Sequence, residues 1–260
     1  MKYQDYEGPA QGLIQKKLKE IEDGEQVRIL LAAESGSRAW GIASPDSDYD
    51  VRFVYVRPEE YYLGLEEKKD YIDWALDETL DINGWDLTKV LRHFHKSNAT
   101  IYEWANSPVV YQVSPQWQEI ADTAAHYFSC KSAIYHYYGT AWKNYLQYLT
   151  DDMVPYKKYF YVLRPLLACR WIEERKSPPP VAFRELAGAM LEDEMKEPVA
   201  WLLEKKTRMK EKEKGERVEP VNRYIEEKAQ YYKKLPETMA DDRNPDWEPL
   251  NRLFIHLVKG

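Results

Sequence analysis

Two stretches decide the fold: Val27-Arg28-Ile29-Leu30-Leu31-Ala32-Ala33-Glu34-Ser35-Gly36-Ser37 and, after ten intervening residues, Asp48-Tyr49-Asp50-Val51-Arg52-Phe53-Val54-Tyr55-Val56. In the first, an apolar run from Val27 to Ala33 is bounded by polar residues, the pattern of a buried strand. It ends in Glu34-Ser35-Gly36-Ser37, a turn signal. Residues 38–47 carry Gly41, Ser44, Pro45, Asp46 and Ser47, so the chain turns again. The second stretch is rich in β-branched and aromatic residues and stops before Pro58, which predicts a strand over 48–56.

Working outward, Leu13, Ile14, Leu18 and Ile21 recur at helical spacing and predict a helix over 11–23. Residues 77–83, centred on Thr79-Leu80-Asp81-Ile82, suggest another short strand. Asp86 to Lys96 reads as a helix with Leu87, Val90, Leu91 and Phe94 on one face. From about residue 115 the alternation fades and helical patterns take over, at 117–149, 156–176, 183–192 and 217–233. The run Ser177-Pro178-Pro179-Pro180 separates two of these. Lys205 to Lys214 is densely charged and reads as a solvated helix face or a connection. The expected class is α+β: a small mixed β-sheet domain over 1–112, then an α-helical domain over 113–260.

The composition excludes several functions. With 44% apolar residues the chain can bury a sizeable core, and a net charge of −7 gives it no overall basic field for a polyphosphate. A nucleic-acid partner would therefore need a local basic patch. The two cysteines, Cys130 and Cys169, have no metal-type spacing and argue against a disulfide framework or a structural zinc. The first residues are polar and charged, and no apolar run approaches the roughly 18 residues of a membrane span. A soluble, cytoplasmic protein with no membrane partner is expected.

Asp48 and Asp50 carry the chemical signal. On a strand, residues i and i+2 project to the same face, about 6–7 Å apart. Two such carboxylates repel unless a cation lies between them, and oxygen ligands of this kind suit Mg²⁺. Just before them, Gly36 permits close backbone approach, and Ser37 offers a hydroxyl and an amide to phosphate oxygens. Arg38 or Arg52 can add a cation, and either also fits an ordinary salt bridge. A phosphate cradle beside a carboxylate pair implies phosphoryl or nucleotidyl transfer. Gly-Ser alone and Asp-x-Asp alone are weak signals; their order between two strands is what gives them weight.

A third carboxylate is expected from a neighbouring strand, adding charge to a metal and accepting the nucleophile's proton. Asp81 is the first choice, because it sits on a short strand just before a helix. Asp86 is the competitor, although it also fits a helix N-terminus, where a carboxylate is favoured anyway. Asp77 and Glu78 rank lower. His93 and His95, at i and i+2, do not share a helix face and are not a metal pair.

Ala33-Glu34-Ser35-Gly36-Ser37-Arg38-Ala39-Trp40-Gly41 and Ser44-Pro45-Asp46-Ser47-Asp48-Tyr49-Asp50-Val51-Arg52 resemble the signature of the DNA polymerase beta superfamily, and more narrowly of its RNA repair pathway group. Asp81-Ile82-Asn83-Gly84-Trp85-Asp86-Leu87, Lys96-Ser97-Asn98, Glu103-Trp104, Ser107-Pro108 and the stretch Lys157-Lys158-Tyr159-Phe160-Tyr161 running on through Arg164-Pro165-Leu166-Leu167 extend the likeness over about residues 25–175.

The resemblance implies a nucleotidyltransferase: a small mixed sheet with helices on one side, two ions (Mg²⁺ or Mn²⁺), and transfer of a nucleoside monophosphate from an NTP with loss of pyrophosphate. Gly36 and Ser37 would hold the triphosphate, Asp48, Asp50 and Asp81 would bind metal, and the helical domain would complete the nucleotide cleft. From that domain Lys158 and Arg164 could reach the phosphates, as could Arg38 from the turn; the plainer reading of Lys157, Lys158 and Arg164 is a basic helix face. The acceptor stays open between an RNA end, a protein side chain and a small hydroxylated molecule, and so does the oligomeric state. The competing reading is a catalytically silent nucleotide-binding regulator, or a toxin/antitoxin-type partner.

Overall fold

The computed structural model describes residues 10–44, 47–75, 80–208 and 213–259. Asp77 and Glu78 lie outside them. Helix α1 (Gln11–Glu25) leads into β1 (Arg28–Glu34), the four-residue turn of helix α2 (Gly36–Ala39) and β2 (Tyr49–Val56). Then come α3 (Glu59–Leu63), β3 (Tyr71–Ala75), β4 (Leu80–Asp86), α4 (Leu87–His95), α5 (Ala99–Ala105), β5 (Val110–Val113) and α6 (Trp117–Ala125). The sheet order is β3-β4-β2-β1-β5; β2 and β4 run parallel, and the other neighbours are antiparallel.

The remaining elements are α7 (Cys130–Tyr148), β6 (Met153–Pro155), α8 (Tyr156–Arg175), α9 (Phe183–Met190), α10 (Asp193–Arg208), β7 (Lys214–Glu216), α11 (Glu219–Thr238) and α12 (Glu248–Lys259). The α+β class with a small mixed sheet and helices following it is as expected.

The period of two sorts the side chains of β2. Val51, Phe53 and Tyr55 pack with Ile14, Leu18 and Ile21 of α1. Val54 and Val56 join the opposite core, with Leu87, Val90 and Phe94 of α4, Trp104 of α5, Trp117 of α6 and Leu253 of α12. Each such fully buried side chain contributes roughly 1.5–3 kcal/mol. Helices therefore cover both faces of the sheet, not one as the resemblance implied. The reason lies in β1, where every residue from Ile29 to Glu34 is buried; a strand apolar on both faces needs a layer on each.

The chain divides into two compact units. One comprises residues up to 41, 47–128 and from 243 onward; the other comprises 129–242 with the short stretch that begins at Ile42. The division thus falls after Phe128 rather than at 112/113, and the C-terminal helix belongs to the first unit. The cause is apolar: Trp117, Ile120 and Ala124 of α6 and Leu250, Leu253 and Leu257 of α12 all lie in the core of that unit.

In the second unit α8 buries Tyr159, Phe160, Leu163, Leu166 and Leu167, α11 buries Val221, Tyr224 and Ile225, and β6 pairs antiparallel with β7. Tyr137 and Tyr145 of α7 are buried, which is the packing role their helical spacing suggests. No helix among the described residues is long and apolar enough to cross a membrane.

Candidate active site

The turn after β1 and the start of β2 are fitted to each other. Ser35 donates its backbone N–H to the Asp50 carbonyl at 2.8 Å. Gly36 has φ +61°, and a Cβ placed on it would lie 2.3 Å from Asp50 Oδ2. The left-handed conformation favours glycine here, and any side chain would displace the Asp50 carboxylate. Ser37 follows, buried in the helical turn.

Beneath the turn lies Glu34. It is 1% exposed. Its Oε1 accepts the Asp50 backbone N–H at 2.9 Å, its Oε2 accepts the Tyr111 hydroxyl, and its carbonyl accepts the Ser107 hydroxyl at 2.6 Å. Burial pushes the Glu34 carboxyl up to about 7, against the opposing effect of the Tyr111 and Asp50 hydrogen bonds; the charge of Asp50 adds to the rise. The only sequence signal for it is a glutamate closing an apolar strand directly before the Ser-Gly turn.

Parallel pairing sets the carboxylates. Asp50 of β2 is in register with Asp81 of β4, and by strand parity both face away from α1, because Val51 and Ile82 face it. Arg52, two residues on from Asp50, joins them: its Nη2 lies 3.2 Å from Asp50 Oδ1 and 2.7 Å from Asp81 Oδ2. On the neighbouring strand Asn83 donates to Asp73, which stands opposite it in register. Neither β3 nor Asp73 on it is signalled by the sequence pattern.

Other residues fall elsewhere. Asp48 is exposed and stands one residue ahead of β2, whose first residue is Tyr49. Arg38 donates from Nε to the Asp48 carbonyl at 3.0 Å and from Nη2 to the Ser47 carbonyl at 2.6 Å, with Cζ 3.7 Å over the Tyr49 ring. Its guanidinium clamps the approach to β2.

Asp86 caps α4: Oδ1 accepts from Thr88 N at 2.8 Å and Oδ2 from the Tyr62 hydroxyl at 2.9 Å. Five residues along β4 from Asp81, it is about 17 Å from the carboxylate pair, and its burial raises its pKa. His93 stacks on Trp85 and His95 on Trp247. In the second unit, Lys158 lies 4.4 Å from the ring centres of both Tyr148 and Tyr161. Arg164 is 2% exposed, with Nε donating to the Val181 carbonyl at 2.9 Å. That enclosure places Arg164 in the core of the second unit.

The donor chemistry fits a hard divalent cation. Two carboxylate oxygens from adjacent strands already converge on a single cationic nitrogen. Among the described residues, no three His, Cys, Asp or Glu side chains are gathered closely enough to form a metal cluster.

The chain matches the model of the RNA repair pathway DNA polymerase beta family over residues 11–256. It is 38% identical over 245 residues, 94% of each chain, to the uncharacterized protein YcgL of Bacillus subtilis strain 168. A solved nucleotidyltransferase-like protein from Exiguobacterium sibiricum 255-15 shares 10% identity, covering 95% of this chain and 80% of that one at a TM-score of 0.29. The family match spans both units, and the chain belongs to the RNA repair pathway DNA polymerase beta family.

Proposed function

We propose that this protein is a metal-dependent nucleotidyltransferase moving a nucleoside monophosphate from an NTP to an acceptor hydroxyl. The observation that carries the reading is the convergence of Asp50 and Asp81 beside a turn whose Gly36 lies against the Asp50 carboxylate. The backbone of Gly36-Ser37 would hold the triphosphate, and Asp50 and Asp81, with Asp48 supplied from the segment before β2, would hold Mg²⁺ or Mn²⁺. A bound ion would supply charge neutralisation for the phosphates.

In the reaction an acceptor oxygen bonds to the α-phosphorus, the bond to the bridging α–β oxygen breaks, and pyrophosphate leaves. Asp81, the more exposed of the pair, takes the hydroxyl proton. The name of the family makes an RNA end the first acceptor to test. Labelled NTPs with Mg²⁺, with and without RNA, should yield pyrophosphate and labelled product, and Asp50→Asn should abolish both. No pyrophosphate with any acceptor tried would defeat the reading.

The contact of Arg52 with both carboxylates favours a second reading, a nucleotide-binding protein whose acids stay engaged by Arg52. Mg²⁺-dependent NTP binding without turnover would mark it.

A further inference from the structure

Arg52 occupies the place that a shared cation would take. Nη2 bridges Asp50 Oδ1 and Asp81 Oδ2 at 3.2 and 2.7 Å. Nη1 donates to the carbonyls of Val51 and Asp81 at 3.1 and 3.2 Å. The guanidinium is therefore held from both strands by four contacts, and its side chain is 18% exposed where that of Asp81 is 57% exposed. A long exposed side chain in a casual ion pair has neither property. In-register carboxylates on adjacent strands repel when bare, and a cation set between them relieves that repulsion.

We propose that Arg52 is an internal counter-cation that keeps the Asp50/Asp81 pair assembled without a divalent ion and that the incoming ion must displace. This rests on the reading of that pair as the ion's ligands. The physical basis is charge. One guanidinium leaves the two carboxylates with a net charge of −1, which still attracts a divalent ion; the ion neutralises them and takes over the two carboxylate contacts of the guanidinium. Arg52 then remains tethered beside the site as a cation able to meet the phosphates that accompany the ion. Arg52 is thus a positioning residue whose effect is on ion affinity, and the paired state is a resting form rather than a permanently silent one.

The test is Mn²⁺ binding without nucleotide, followed by electron paramagnetic resonance or calorimetry in wild type, Arg52→Gln, Arg52→Lys and Asp50→Asn. Removing the competitor should make Arg52→Gln bind Mn²⁺ about tenfold tighter than wild type or better. Arg52→Lys should fall between them, and Asp50→Asn should lose binding. Equal or weaker binding by Arg52→Gln, with binding still sensitive to Asp50→Asn, overturns the displacement and leaves the ion-site reading standing. No Mn²⁺ binding to either wild type or Arg52→Gln at millimolar concentration overturns both.

Wild-type protein gives a second measurement that needs no variant to fold. Modification of Arg52 by phenylglyoxal, quantified by peptide mass spectrometry, should speed up when Mn²⁺ is added. An unchanged or slower rate counts against displacement.

Discussion

Gly36 and Asp50 meet so closely that a single methyl group cannot be placed between them: a Cβ at position 36 would lie 2.3 Å from Asp50 Oδ2. Turn and carboxylate strand are one fitted unit, and whatever moves the turn moves the acid.

Gly36→Ala should therefore act twice. The left-handed φ of +61° and the clash together should cost roughly 1–3 kcal/mol of stability. Divalent affinity and pyrophosphate release should fall further than that loss explains, because Asp50 is pushed from its place. Chemical denaturation read beside Mn²⁺ titration checks this; a stability loss with unaltered ion affinity would separate the turn from the acid.

Glu34 gives the stability a pH dependence of fixed sign. Its folded-state pKa, about 7, lies above the ordinary 4.5, so the folded protein holds this proton more tightly than the unfolded chain. Its stabilising contribution is complete below about pH 4.5 and is lost as the pH rises through about 7. The difference amounts to at most about 3 kcal/mol. Glu34→Gln should flatten the urea midpoint between those pH values, and a dependence as steep as wild type would place its origin elsewhere.

Asp86→Ala should damage the fold without touching the chemistry. It removes the cap of α4 and leaves the Tyr62 hydroxyl without its acceptor, a loss of about 2–3 kcal/mol. Turnover and Mn²⁺ affinity per folded molecule should stay at the wild-type level. A selective loss of activity at full stability would make Asp86 the third acid after all.

Arg38→Lys should loosen the approach to β2. A lysine cannot bond two carbonyls through a fork and stack on Tyr49 at once. Faster amide exchange at residues 47–49 is expected, with a fall in stability of no more than about 1–2 kcal/mol. Unchanged exchange there would leave Arg38 free for a phosphate role.

The central strands were legible because burial wrote them as apolar or β-branched runs; Val27 to Ala33 and Tyr49 to Val56 could scarcely be anything else. The outer strands were not. Tyr71-Ile72-Asp73-Trp74-Ala75 follows the charged Lys68-Lys69-Asp70, and Val110-Tyr111-Gln112-Val113 is four residues long, so neither pattern outlasts its surroundings. Both are edge strands of the sheet, where one side needs no partner.

Where the two units divide is not legible in the sequence, for a different reason. Local periodicity identifies α6 and α12 as helices but carries no record of which core receives Trp117 or Leu253. At the site, the order Gly36-Ser37, Asp50, Asp81 could be read from spacing, and the neighbourhood of Asp50 and Asp81 followed once β4 was assumed. The bridging by Arg52 and the buried Glu34 arise from pairing between distant segments, and spacing along one strand does not encode them.

The most direct measurement is the rate of pyrophosphate release by Asp81→Asn at saturating NTP and Mg²⁺, with the acceptor that supports wild-type turnover. Asp81 is half exposed, so the variant should keep the wild-type melting temperature while its rate falls by about 10²–10⁴. A rate equal to wild type would contradict the assignment of the Asp50/Asp81 pair as the centre of the chemistry.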